Sequence, residues 1–122
     1  MVFSLDSEGN IMYISPAIEG LSGFKAEEIA GTSCIQYVVP EDLPGLMGSM
    51  EKTVAGQVEP YEFRVRHKNG TLHHILTSSR PIHRDGNLVG LIGVMVDVTE
   101  RRAAEEALRD SEANYRDLFE HA

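Results

Sequence analysis

The amino-acid sequence predicts an α+β fold: one five-stranded antiparallel sheet, short helices gathered on one of its faces, and a long helix at the C-terminal end. Three observations carry this expectation. The segment "YEFRVRHKNG" alternates apolar Tyr61, Phe63 and Val65 with charged Glu62, Arg64 and Arg66, the period of a half-buried strand. Strand-like runs are separated by Asn69-Gly70 and Asp85-Gly86, dipeptides favoured where both central residues of a tight hairpin need positive φ. Beyond Thr99, strand formers give way to Ala, Glu, Leu and Arg, so strands and the long helix are segregated along the chain.

Val2 to Leu5 alternates, Ser7-Glu8-Gly9-Asn10 supplies turn chemistry, and Ile11 to Ile14 resumes an extended run, giving a first hairpin. From Pro16 onward, Gly20, Gly23, Gly31 and Pro40 leave room only for short helices. "EDLPGLMGSMEKTVAG" sets Leu43, Leu46, Met47, Met50 and Val54 at helical spacings, with acidic residues near its start and Gly56 near its end. Gly45 and Gly48 weaken that helix. Thr71 to Ile82 reads as a fourth strand, and "LVGLIGVMVDV" is apolar on both faces, the mark of a central strand covered on two sides. In the last segment Ala104, Leu108, Ser111, Tyr115, Leu118 and Ala122 step by four and three, a coiled-coil seam. Glu105 to Arg109 and Glu112 to Arg116 are favourable pairs four apart. The boundary near Thr99 divides residues 1–99, a folded domain, from a linker helix over residues 100–122.

Composition excludes several classes. The 122 residues hold one hydrophobic core, with 42% hydrophobic and 25% charged residues, as in an ordinary soluble domain. Eleven basic against nineteen acidic side chains give a net charge of −8, which repels phosphate backbones, so no nucleic-acid partner is expected. The run from Leu88 to Val98 is broken by two glycines and Asp97 and is far short of the roughly 20 residues of a spanning helix. No direct membrane insertion is expected. No basic leader precedes an apolar segment at the N-terminus, which together with the single Cys34 points to a cytoplasmic location.

Taken in order, "LDSEGNIMYISPAIEGLSGFKAEEIAG", "HKNGTLHHILTSSRPIHRDGNLVGLIGVMVDVTERR", the Asp97-Val98-Thr99 signature and "SEANYRDLFEHA" resemble a PAS domain, the sensory box of bacterial and archaeal signal-transduction proteins. The resemblance implies strand order 2-1-5-4-3 and a terminal signalling helix leading toward a following domain, another PAS. It also implies a middle section of a longer protein, a sensor histidine kinase of a two-component system, with a diguanylate cyclase or chemotaxis-type transducer as alternatives.

"GTSCIQYV" is similar to the flavin-adduct cysteine segment of light-sensing LOV relatives. The positions that would offer amides to a flavin are Val65, Ile75 and Met95, and Ile35 and Tyr37 stand where an arginine and a glutamine are usual, so flavin is disfavoured. Cys34 reads instead as a buried small hydrophobe. Haem is disfavoured because the helix over Glu41 to Gly56 carries no histidine, and Met47 and Met50 read as core fillers. His67, His73, His74, His83 and His121 show no ligand spacing, and His73 and His74 point to opposite faces of one strand. No metal site is expected. The carboxylate pairs Asp6/Glu8 and Glu27/Glu28 read as surface groups, and "LFEHA" does not resemble a phospho-acceptor box around His121. The chain therefore reads as a regulatory input domain without catalytic residues of its own.

What remains is a pocket. Tyr61, Phe63, Val65, Ile75, Thr77, Leu91 and Met95 are expected on the inner sheet face, with Tyr37, Leu46 and Met50 opposite them. That space takes either an unidentified small ligand or the domain's own side chains. On the outer face Ile92, Val94 and Val96 need a cover, and a homodimer through this face and the C-terminal helix satisfies both apolar surfaces. Signal relay is expected through Asp97, paired with Arg101, and Thr99, which caps the helix.

Overall fold

Strand pairing in the computed structural model gives a five-stranded antiparallel sheet in the order β2-β1-β5-β4-β3. The structure describes residues 1–120, with side chains through Ala113. The strands are β1 (Val2–Asp6), β2 (Ile11–Ile14), β3 (Tyr61–Arg66), β4 (Leu72–Arg84) and β5 (Asn87–Asp97). Between β2 and β3 lie α1 (Ile18–Ser22), α2 (Ala26–Ile29), two 3₁₀ turns at Cys34–Tyr37 and Pro40–Asp42, and α3 (Leu43–Val54), while α4 (Thr99–Glu120) follows β5.

The turns show why the chain reverses where it does. In the β1–β2 turn, Asp6 Oδ1 accepts the Glu8 and Asn10 amides at 2.9 Å each, and Asn10 Nδ2 donates to Oδ2 at 3.1 Å. Between β4 and β5, Asp85 (φ 52°) and Gly86 (φ 79°) are both left-handed, as the two-residue hairpin requires. Asn69-Gly70 behaves differently: only Gly70 has positive φ, 93°. The Gly70 amide donates to the His67 carbonyl at 2.9 Å, so the loop is longer than two residues and the left-handed step falls on glycine alone. Asn69 instead uses its side-chain oxygen to accept the Thr71 amide at 2.9 Å.

The core lies between one sheet face and the helices. Phe3, Leu5, Ile11, Ile14, Phe63, Val65, Ile75 and Leu91 from the strands meet Ile18, Leu21, Ile29 and Leu46 from the helices. Two contacts fix α3 above the sheet. Asp42, just before it, accepts Arg64 Nε and Nη2 at 2.9 Å each and the Arg64 amide at 2.8 Å. Gly45 lies against Tyr61, where a Cβ would sit 2.0 Å from the phenol oxygen. The glycine that weakens the helix locally thus makes room for the Tyr61 ring. Met47 is 50% exposed, so of the two methionines expected in the core only Met50 packs there.

The outer face differs from the expectation of a strand covered on both sides. Ile92, Val94 and Val96 are 47%, 49% and 53% exposed, because no described segment of the chain crosses that face. Past its first turn α4 projects into solvent, held at its root by Arg102 Nη1 donating to Glu62 Oε1 at 2.8 Å. The seam residues Ala104, Leu108 and Ser111 are exposed. The Tyr115 and Leu118 side chains, and residues His121 and Ala122, lie outside what the structure describes.

Ile75 has no solvent exposure, so Ile75→Ala is expected to destabilise the domain by about 2–5 kcal/mol. The check is the midpoint of urea unfolding at unchanged slope. A loss below about 1 kcal/mol would mean the core collapses around the deletion.

Candidate functional site: an inner cavity and the root of the outgoing helix

Beneath the sheet the packing leaves a cavity of about 100 Å³. Eight of the ten expected residues line it: Tyr37, Leu46, Met50, Phe63, Val65, Thr77, Leu91 and Met95. Ile75 does not, being wholly enclosed in the core. Tyr61 turns to the Gly45 side of α3, into a separate depression with Gly48 and Lys52.

The sequence reading missed a second set of lining residues. Phe3, Leu5, Ile11 and Ile14 from the first hairpin contribute, as do the hydroxyls of Ser22, Ser49, Thr53 and Ser79. A signal for some of these was present. Ser49 and Thr53 are four apart on α3, and Ser79 lies two beyond Thr77 on β4, so each pair shares a face. Between Leu91 and Met95 on β5, Gly93 is demanded by the sheet itself, since a Cβ there would lie 2.4 Å from the Ser78 carbonyl oxygen on β4.

Cys34 is only half-buried and borders the cavity. Burial pushes its thiol above the usual value, which keeps it protonated and weakly nucleophilic. Val65 and Met95 line the cavity without a hydrogen-bonding group to offer a flavin edge. Among the described residues no three His, Cys, Asp or Glu side chains converge as metal ligands.

The second part of the site is the junction where β5 becomes α4. Asp97 Oδ1 accepts the Thr99 amide at 2.9 Å and also the Thr99 hydroxyl. Its other oxygen accepts His73 Nδ1–H at 2.9 Å. Thr99 Oγ1 in turn accepts the His74 amide at 2.9 Å, so one hydroxyl joins β4, β5 and the helix start. The expected Asp97–Arg101 pair is not formed. Arg101 Nε donates to Glu105 at 3.1 Å, one turn further along, because both Asp97 oxygens are already engaged. His67 lies beside His73, ring centroids 5.7 Å apart.

Burial pushes the Asp97 carboxyl up, but the hydrogen bonds from the Thr99 hydroxyl, the Thr99 amide and His73 outweigh it and hold the group below the ordinary 3.8. Asp42 is held low by its Arg64 bonds against the opposing effect of burial.

A sheet that encloses a small cavity on one face, and whose central strand passes without a loop into an outgoing helix, defines a class of sensory input domain. Comparison with known proteins assigns the family: the PAS fold family matches residues 1–103, and the chain belongs to it. PAS domains are in general regulatory sensory modules.

The chain is 28% identical over 115 residues to sporulation kinase C of Bacillus subtilis, covering 88% of this chain and 26% of that protein. It is 27% identical over 103 residues to the probable diguanylate cyclase DgcE of Escherichia coli, covering 82% of this chain and 9% of that protein. The chain thus spans about a quarter or less of these curated relatives. Among solved structures, a sensory box histidine kinase/response regulator from Burkholderia thailandensis superposes with a TM-score of 0.75 at 22% identity, covering 94% of this chain and 88% of that one. An RNA-binding light-oxygen-voltage receptor superposes with a TM-score of 0.74 at 21% identity, covering 92% and 33%. These last two likenesses are of fold.

The lowered Asp97 carboxyl fixes a direction for pH. Its contribution to stability is fully present above the unfolded value near 3.8 and is lost as pH falls through the lower folded value. The protection factors of the amides in the first turn of α4, corrected for the intrinsic pH dependence of exchange, are expected to fall only in that acid range, and Asp97→Asn should remove the pH step. A step that persists in Asp97→Asn would assign it to another group.

Proposed function

We propose that the chain is the input and dimerisation module of a sensor histidine kinase in a two-component system. Residues 1–99 would form the sensor, and residues 100–122 the linker helix toward a following domain, taken to be another PAS domain. The module relays signal and contributes no catalytic residue; its own location is taken as cytoplasmic. One observation carries the reading. β5 borders the cavity through Leu91 and Met95 and ends two residues later at Asp97, which holds Thr99 at the helix root. A displacement at Met95 therefore has a short covalent and hydrogen-bonded route to α4, and helix shifts of this kind are a known mode of switching.

The kinase relative favours this output, and the cyclase relative keeps a second open, in which the same module feeds a diguanylate cyclase. Receptor function is favoured by the cavity itself. At about 100 Å³ it is smaller than the roughly 150 Å³ cavity that accepts benzene in another protein. It suits a small ligand far better than a flavin or haem.

A second copy of the chain is the proposed cover for the outer face. Ile92, Val94 and Val96, with Val2 on the adjoining strand, are all more than 40% exposed, and a two-fold axis lets this patch and the seam of α4 bury against themselves. Val94→Asp is expected to convert a dimer to a monomer in light-scattering chromatography with the fold retained. A chain that is already monomeric removes this interface.

The relay is tested in the full-length parent. Asp97→Ala or Thr99→Ala is expected to abolish signal dependence of the output while shifting the thermal midpoint of the domain only slightly. A collapse of the midpoint, well beyond the ~1 kcal/mol that loss of an ordinary helix cap costs, would make both residues part of the domain's structural framework instead.

A further inference from the structure

We propose that the cavity's ligand is a small uncharged molecule of no more than about six non-hydrogen atoms, carrying one hydrogen-bonding group that Ser49 and Ser79 receive. This rests on the reading of the cavity as a receptor site and specifies the chemistry of what enters it. Its basis is the state of the hydroxyls.

Several of the hydroxyls in the lining are already committed. Ser22 donates to the Ile18 carbonyl at 2.8 Å, Thr53 to the Ser49 carbonyl at 3.0 Å and Thr77 to the Val94 carbonyl at 3.3 Å. The hydroxyls of Ser49 and Ser79, both half-buried, bond to no protein atom among the described residues, and both line the cavity. They approach it from different elements, Ser49 from α3 and Ser79 from β4, and these two elements pack together. Ser79 is paired across the ladder with Gly93 of β5, so no side chain from its partner position crowds it.

Charge and size narrow the class. No Asp, Glu, Lys, Arg or His lines the cavity, so an ionised ligand would give up its hydration with no counter-charge to replace it. A purely apolar occupant would leave the two serine hydroxyls unbonded once water is displaced. The volume of about 100 Å³ limits the body to a short chain or a small ring. A compact alcohol, ketone or amide satisfies all three conditions.

The test is a titration of the chain followed by amide NMR, with cyclopentanol, cyclopentane, cyclopentylammonium and cyclopentanecarboxylate as probes. Cyclopentanol and cyclopentane are expected to shift the resonances of Thr77, Leu91 and Met95, and the two ions are not. The double variant Ser49→Ala, Ser79→Ala should weaken cyclopentanol about fivefold to tenfold, the loss of one or two neutral hydrogen bonds. It should leave cyclopentane as tight or tighter, which also reports that the cavity is intact. Equal weakening of both probes, an unchanged affinity for cyclopentanol, or binding of either ion would overturn the polar selectivity while leaving the receptor reading in place. If neither neutral probe moves a cavity resonance, the receptor reading fails together with this one.

Discussion

The structure depends on β5 being hydrogen-bonded along both edges. β1 pairs with it from Val2↔Val94 to Asp6↔Gly90, and β4 from Ile75↔Asp97 to Arg84↔Asn87. A strand held on both sides cannot shift alone, so its side chains are fixed relative to everything they touch. Its glycines show how close that embrace is. A Cβ at Gly90 would lie 2.0 Å from the Leu5 carbonyl oxygen, a collision with backbone that no rotamer change relieves. The same strand supplies part of the cavity wall, the exposed outer patch and, at Asp97, the anchor of the outgoing helix.

At that anchor the ladder does not simply stop. The Val98 amide donates to the His74 carbonyl at 2.8 Å, and Thr99 Oγ1 then accepts the His74 amide, so side-chain bonding takes over from strand pairing at the point where the backbone turns into a helix. Asp97 adds a carboxylate near the first free amides of α4, where negative charge is favoured by the helix dipole. Arg102 reaches back to Glu62 on β3. The helix is therefore tied to three strands over its first turn and to nothing described beyond it.

Much of this was legible in the sequence because strands and hairpins announce themselves locally. Tyr61 to Arg66 alternates, and Asp85-Gly86 adopts the backbone its composition demands. What was misread depended on distant partners. Tyr61 and Phe63 are equivalent by period, yet Tyr61 is drawn out of the cavity wall by Gly45, sixteen positions earlier. Arg101 is well placed on paper to meet Asp97, but sequence spacing does not reveal that His73 and Thr99 already occupy both carboxylate oxygens. Ile92, Val94 and Val96 are apolar as a covered face would be, and the local pattern says nothing of whether the cover comes from the same chain. Strand order itself came from family resemblance, since period and turn chemistry fix neighbours in a hairpin but not which hairpins adjoin.

The gain from filling the cavity bears on how a signal would travel. An occupant present at a hundred times its dissociation constant stabilises the state it binds by about 2.7 kcal/mol, on the order of two or three of the hydrogen bonds at the root of α4. That is enough to change which of those bonds are made, and far too little to melt a helix or reorder a doubly paired strand. A ligand can shift an equilibrium only by its differential affinity for the two states. On the proposed relay, the cheapest pair of states would keep the sheet unchanged and differ in how Asp97, Thr99 and His74 are joined, and with it in the direction in which α4 leaves.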